Sequence, residues 1–264
     1  YFSDNYELMD ELAVALQYDF LVRERNSYSR FQRSYNKLDP VMGNFLQQNQ
    51  FADIYLISNN DQRIIYSNKR KIDFATNLTE GPHAGTGFAF AYESASQATD
   101  KDFIYISDFE THQPSYAAPA LFVSTPVFNG EDNVGVLIIQ IGLEQLNKVM
   151  SERTGLGETG ETYLVGNDYL MRSDAKNDPD RTAFKSIQRP DKGRVASLAI
   201  SRALASRTGS GVIKNYQKRP VLSSWTPVKI NNFSWALIAE IDITEALSPK
   251  DESGNAFYQK YAQT

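Results

Sequence analysis

Cysteine is absent from this 264-residue chain. That excludes disulfides, thiolate metal sites and cysteine nucleophiles. Histidine is scarce, at two residues, His83 and His112. Neither has an H-E-x-x-H or H-x-H neighbour, so a metal site using both needs two separate loops to meet in space. A basic excess is lacking too, with 27 Lys and Arg against 32 Asp and Glu, a net charge of −5. A nucleic-acid backbone needs a basic face, so no nucleic-acid partner is expected. Lys69-Arg70-Lys71 reads as a solvated turn. No apolar run reaches the roughly 18 residues that a membrane-crossing helix needs. No G-x-S-x-G elbow is present. The acids Asp174, Asp178 and Asp180 lack the glycine and terminal Glu of a calcium loop, and read as a solvated acidic loop. No catalytic constellation, no metal and no cofactor is expected.

What is present begins with glycine. Gly155, Gly157 and Gly160 spell G-x-G-x-x-G. In a dinucleotide site that loop leaves a strand and opens a helix. Here the order is reversed. Leu143 to Arg153 reads as a helix before the loop, and Glu161 to Val165 as a strand after it. The stretch is a glycine-rich joint that starts a new module.

That module occurs twice. Asp53-Ile-Tyr-Leu-Ile-Ser-Asn-Asn matches Glu161-Thr-Tyr-Leu-Val-Gly-Asn-Asp. Pro119 to Val127 matches Pro220 to Val228, and Ile139-Gln-Ile-Gly-Leu143 matches Ala239-Glu-Ile-Asp-Ile243. Three matched blocks in one order indicate duplication. With 41% hydrophobic and 22% charged residues, the chain is globular and long enough for two domains.

Met9, Ala13, Leu16 and Phe20, then Phe31, Tyr35 and Leu38, space one long helix from Tyr1 to about Asn36. At ~1.5 Å per residue it spans ~50 Å. Asp39-Pro40 reads as a cap and first-turn proline for a second helix to about Gln50. In the first module, Ala52 to Ser58, Gln62 to Ser67, Phe103 to Ser107, Ala120 to Phe128 and Val134 to Ile141 read as strands. Thr86 to Ala98 reads as a helix and Asp108 to Ala118 as a long loop. In the second module, Thr162 to Val165, Tyr169 to Arg172, Gly211 to Tyr216, Val221 to Val228 and Trp235 to Ile241 read as strands. Asp174 to Lys192 reads as a loop and Val195 to Ser206 as a helix. Adjacent strands with few helices give an α+β fold of antiparallel sheets flanked by helices. The expected divisions are 1–50 for the helices, 51–153 and 154–247 for the modules, and 248–264 for a polar tail. The chain starts without Met and reads as a fragment of something longer.

A long helix before tandem antiparallel modules resembles the double Cache domain, or tandem PDC sensor. These are PAS-like periplasmic domains of bacterial transmembrane receptors. The resemblance rests on Gly155-Leu-Gly-Glu-Thr-Gly-Glu-Thr-Tyr-Leu-Val-Gly and Tyr169-Leu-Met-Arg-Ser-Asp174, and on Asp108-Phe-Glu with Pro114-Ser-Tyr-Ala-Ala-Pro-Ala120. It implies a non-enzymatic sensor domain, most like those of sensor histidine kinases, with chemoreceptors and nucleotide cyclases as alternatives. Sensing through a periplasmic binding protein is a further alternative. It also implies a homodimer in the full receptor and anchoring through membrane segments outside this fragment. The implied pocket is in the membrane-distal first module, for a small molecule. Amino-acid-binding members carry R-x-W-[Y/F] there. Gly85 to Glu93 has neither Arg nor Trp, so no such carboxylate clamp is expected. The remaining candidates are Phe88, Tyr92, Tyr105, Asp108, Tyr116 and Thr125. Phe88 and Tyr92, at i and i+4, also suit a core. Asp108 and Tyr116 lie in a loop, where function concentrates. Arg172 and Asp174 suit a structural ion pair.

Overall fold

The computed structural model describes residues 25–152, 154–231 and 233–248. The helix expected from Tyr1, with Met9, Ala13, Leu16 and Phe20, lies outside the described residues until Arg25. So does the polar tail beyond Ser248. The chain forms two compact units, Tyr1–Gln145 and Leu146–Thr264.

The first unit opens on helix α1, Arg25–Asn49. It does not break at Asp39-Pro40, and Pro40 sits inside it. An internal proline removes one helical hydrogen bond and costs ~3 kcal/mol relative to alanine. Burial outweighs this. Tyr35, Leu38, Met42 and Leu46 form one buried stripe, and each such side chain contributes ~1.5–3 kcal/mol. Asp39 has another task than capping. Its Oδ1 accepts from the Tyr66 hydroxyl at 2.9 Å and from Asn68 Nδ2 at 3.2 Å.

The sheet consists of β1 (Asp53–Ser58), β2 (Ile64–Ser67), β3 (Tyr105–Ile106), β4 (Glu110–His112), β5 (Ala118–Asn129) and β6 (Asp132–Ile141). Its order is β2-β1-β6-β5-β3, with β4 also on β5 and every pairing antiparallel. All of β1 is buried, because both sheet faces are covered. One face carries Ile54, Leu56 and Leu137 against the α1 stripe. The other, the inner face, carries Tyr55, Ile57, Phe122 and Ile138 against helix α2, Gly87–Ser96. Thr86 caps α2, its side chain accepting from Ala89 N. Part of the expected loop from Asp108 is thus strand β4, followed by a tight turn of helix at Gln113–Ser115.

Helix α3, Leu143–Met150, leads into the second unit. There β7 (Glu161–Val165), β8 (Gly209–Lys214), β9 (Pro220–Ile230) and β10 (Phe233–Asp242) form an antiparallel sheet in the order β7-β10-β9-β8. Strand β9 alternates exposed and buried from Pro220 to Trp225, as a strand with one solvated face does. Short helices α4 (Ala183–Gln188), α5 (Pro190–Gly193), α6 (Leu198–Leu204) and α7 (Ile243–Leu247) complete the unit. Helices α4 and α5 fall in what reads from sequence as a polar loop.

The expected strand Tyr169 to Arg172 reduces to one bridge, Val165 to Met171. Tyr169 is in the left-handed region, which ends an extended run. Arg172 does not pair with Asp174. Its guanidinium is buried, held by Asp168 Oδ2 and the Leu170 carbonyl, both at 3.0 Å. Asp174 Oδ1 accepts from Ala183 N at the start of α4.

The glycine joint is an anion cradle filled from within. The backbone N–H groups of Glu158 and Thr159 each donate to the Glu245 carboxylate at 2.8 Å, and the Thr159 hydroxyl donates to it as well. Gly157 has φ +69, and a Cβ there would meet Glu245 Oε1 at 2.2 Å. A carboxylate from α7 therefore occupies the place that the spacing reserves for a phosphate.

Candidate functional site

The inner face of the first sheet carries polar residues at one end. Asp53 and Gln140 are cross-strand partners on β1 and β6. Tyr55, one position further along that face, donates from its hydroxyl to Gln140 Oε1 at 3.0 Å. Lys71 reaches in from the loop after β2. Its Nζ lies 3.4 Å from Asp53 Oδ2 and donates to Ser115 Oγ at 2.9 Å and Gln140 Oε1 at 3.3 Å. Gln140 Nε2 also donates to Ser115 Oγ, at 3.0 Å. Burial pushes the Asp53 carboxyl up, while Lys71 and the backbone N–H groups of Ile54 and Lys69 pull it down.

Beside this satisfied network lies an unsatisfied one. Asp73 is fully buried, and neither of its carboxylate oxygens has a hydrogen-bond partner. His112 Nε2 faces Asp73 Oδ2 at 3.6 Å and is also without a partner. The Tyr55 hydroxyl, which donates to Gln140 Oε1, also lies near the Asp73 carboxylate, and Asp73 adds to the burial that pushes the Tyr55 pKa up. The His112 ring is edge-on to Phe88 and Phe122, at 5.6 and 5.1 Å between centroids. His83 belongs to the same locality. Burial lowers its pKa, the Asp73 carboxylate opposes that, and His112 reinforces it. The two histidine loops do meet, yet among the described residues no three metal-ligating side chains are grouped as a metal site.

The six residues singled out from sequence are dispersed around this cluster. Phe88 is buried, 4.8 Å from both the Tyr55 and Phe122 rings. Tyr92 is buried, its hydroxyl donating to the Ser58 carbonyl at the end of β1 at 3.5 Å. Tyr105 packs half-buried on the same inner core. Asp108 is half-buried, and its Oδ1 accepts from Phe109 N at 2.7 Å. Tyr116 is 96% exposed with φ 57. Thr125 points the other way. Its neighbour Ser124 donates to the Ala91 carbonyl of α2, so Thr125 faces the α1 side. Of the six, Phe88 makes a ring contact with His112. Sequence reading did not single out Asp73 or Tyr55, and it weighed His112 only as a metal ligand. It also missed Glu110, whose carboxylate accepts from Gly87 N at 2.7 Å and anchors the start of α2. The one usable signal was the acid-x-Tyr pattern that opens both modules, Asp53-Ile-Tyr55 and Glu161-Thr-Tyr163.

The second unit repeats the frame. Glu161 and Glu240 are cross-strand partners, and the Tyr163 hydroxyl donates to Glu240 Oε2 at 3.0 Å. A cleft of about 300 Å³ is lined by Gly155, Leu156, Leu222, Ala239 and Ile241, with Ser210, Ser223, Ser224 and Glu240 also on its wall. Its lining is mainly apolar.

Comparisons accord with this architecture. The ligand-binding domain of the Campylobacter jejuni chemoreceptor Tlp3, solved with 4-methylisoleucine, aligns with TM-score 0.55 at 12% identity, covering 94% of this chain and 88% of that one. The ligand-binding domain of the Pseudomonas aeruginosa amino acid chemoreceptor PctB, solved with L-Arg, aligns with TM-score 0.52 at 14% identity, covering 95% and 93%. The sensor domain of the V. cholerae histidine kinase DctB aligns with TM-score 0.50 at 11% identity, covering 88% and 84%. At such identities these likenesses establish the fold. No curated protein sequence matches the chain. The Cache domain model matches residues 1–249. The chain therefore belongs to the Cache domain family, the non-catalytic, ligand-binding extracytoplasmic sensor domains of membrane receptors.

Proposed function

We propose that this chain is the periplasmic sensing domain of a bacterial transmembrane receptor, a two-component sensor histidine kinase. It binds a small molecule at the inner face of the first sheet. The observation that carries this reading is Asp73 with His112, a buried carboxylate whose two oxygens, and a buried imidazole whose Nε2, have no hydrogen-bond partner. A buried polar group left so costs ~1–3 kcal/mol, more for a charged one, and is retained where a ligand completes it. The ligand brings hydrogen-bond donors to Asp73. The Phe88 ring walls the site beside His112, Tyr105 and Tyr92 line the same inner face further from it, and Asp108 and Tyr116 flank β4, which carries His112. A chemoreceptor is the second reading, favoured by the PctB and Tlp3 domains that share the fold. Their amino-acid ligands carry over only in part, because Gly85 to Glu93 offers neither Arg nor Trp to clamp a carboxylate. The receptor is a homodimer anchored by membrane segments outside this sequence. A switch from 1:99 to 99:1 requires ~5.5 kcal/mol of differential ligand affinity.

The test is thermal shift against a metabolite library, followed by calorimetry. Asp108→Ala and Tyr116→Ala are expected to weaken binding of any hit, and unchanged affinity would remove both from the site. Failure of every small ligand to shift the transition would refute direct sensing and leave a binding-protein partner.

A further inference from the structure

The two copies of the module differ at one point of charge. In the first, the row Asp53–Gln140 holds one carboxylate, and Lys71 sits 3.4 Å from it. In the second, Glu240 stands in the place of Gln140, directly across from Glu161. Both are buried, at 4% and 2% exposure. Arg219, the cation that acts on both through space, is itself exposed and donates to Gln217 Oε1. The second copy thus has one acid more than the first, and its direct donors are neutral: Asn215 Nδ2 and the Tyr163 hydroxyl to Glu240, at 2.8 and 3.0 Å, and Asn177 N to Glu161 Oε2, at 3.0 Å.

The same row continues to Ser223, the β9 partner of Glu240. Ser223 is 1% exposed, and its hydroxyl has no partner. Side chains directly opposite on one sheet face have Cβ atoms ~4.5–5.5 Å apart, so Ser223 Oγ and the Glu240 carboxylate share one locality. Aromatic rings flank them. Tyr163 and Trp225 stand one step along the same face, on either side of Ile238. Tyr216 lies edge-on to Tyr163 at 5.5 Å, and the Tyr216 hydroxyl and the 3%-exposed Trp225 indole N–H are also buried without partners. Gly209 and Gly211, opposite Trp225 and Ser223 on β8, add no side chain to this face.

We propose that the inner face of the second sheet is a second binding site, for an organic ammonium. Its N–H groups donate to Glu161, Glu240 and Ser223, and its charge is shared with the faces of Tyr163 and Tyr216, the Trp225 ring already having the Arg202 guanidinium 5.5 Å from its centroid. Carboxylates supply the counter-charge and aromatic rings supply the cation–π attraction that such cations select. A metal ion fits less well, because among the described residues no three metal-ligating side chains are grouped as a metal site. The inference does not depend on the ligand of the first unit.

The experiment titrates the whole chain with methylammonium chloride, observed at the indole N–H resonance of Trp225, one of two tryptophans. A saturable shift is expected. Glu240→Gln, which recreates the Gln140 arrangement of the first copy, is expected to weaken binding about tenfold or more through loss of a charge-assisted acceptor. Glu161→Gln serves as the second variant, should Glu240→Gln not fold. Asp73→Asn, in the first unit, should leave the titration unchanged. The proposal is overturned if methylammonium gives no shift. It is equally overturned if binding survives Glu240→Gln and is lost in Asp73→Asn, if calcium chloride binds in its place, or if only acidification moves the resonance.

Discussion

Replacing Asp73 by Asn should make the ligand-free protein more stable and the ligand weaker. The side chain is fully buried, and neither oxygen is hydrogen-bonded. Its nearest donor, His112 Nε2, is 3.6 Å away. A buried charged group without partners costs several kcal/mol in the worst case and ~1–3 kcal/mol for polar groups in general. Asn keeps the shape, removes the charge, and offers an N–H₂ group towards His112. A gain of roughly 1–3 kcal/mol follows, or about 2–4 °C in Tm for each kcal/mol in a chain of this size. The ligand effect has the opposite sign. Losing a charged acceptor removes ~1.5–3 kcal/mol of binding, about 10- to 100-fold in Kd. A ligand at 100 times its Kd stabilises the wild-type protein by ~2.7 kcal/mol. At that concentration the variant gains only ~0.4–1.4 kcal/mol, so the ligand should close the Tm lead of Asp73→Asn by ~1.3–2.3 kcal/mol, and invert the order where the ligand-free gain is smaller than that. Differential scanning calorimetry at two ligand concentrations reads both effects. If Asp73→Asn lowers the ligand-free Tm by several degrees, Asp73 is a structural anchor and the site argument falls.

Pro40→Ala should stabilise the first unit by roughly 1–3 kcal/mol, since an exposed internal proline is replaced by the best helix former. A lower urea midpoint would mean that the proline ring itself is needed. Glu240 carries a pKa raised by burial, against the pull of Asn215 and Tyr163. The folded state thus holds the proton more tightly than the unfolded chain does. The wild-type protein gains stability as pH falls through the raised value, and the gain levels off below the ordinary carboxylate range. Glu240→Gln lacks this gain, so its stability relative to wild type should shrink between pH 7 and pH 4 in chemical denaturation; a constant difference would contradict the shift. Gly157→Ala should destabilise the second unit by ~1–2 kcal/mol from its left-handed backbone, and by more where its Cβ displaces Glu245. Affinity at the first unit should remain unchanged in calorimetry, whereas a large loss would place the ligand in the wrong module.

The sequence by itself determined the duplication, the α+β class and most strands. Repeated blocks such as Asp53-Ile-Tyr-Leu and Glu161-Thr-Tyr-Leu, and the helix from Thr86, are local patterns set by backbone period and turn chemistry. It also aligned Gln140 with Glu240, the substitution that separates the two copies. Other features required the tertiary structure. Pro40 reads as a helix start because local propensity knows nothing of the stripe Tyr35, Leu38, Met42 and Leu46 that holds the helix through it. Thr125 could not be assigned a face, because β5 is buried on both and hydropathy then loses its alternation. Asp73 and His112 lie 39 residues apart by number, in segments without periodicity. Their meeting is fixed by the antiparallel pairing of β4 on β5 and the return of the loop after β2 to the sheet end. Burial without a partner is a property of that meeting, and no single residue's neighbours in sequence encode it.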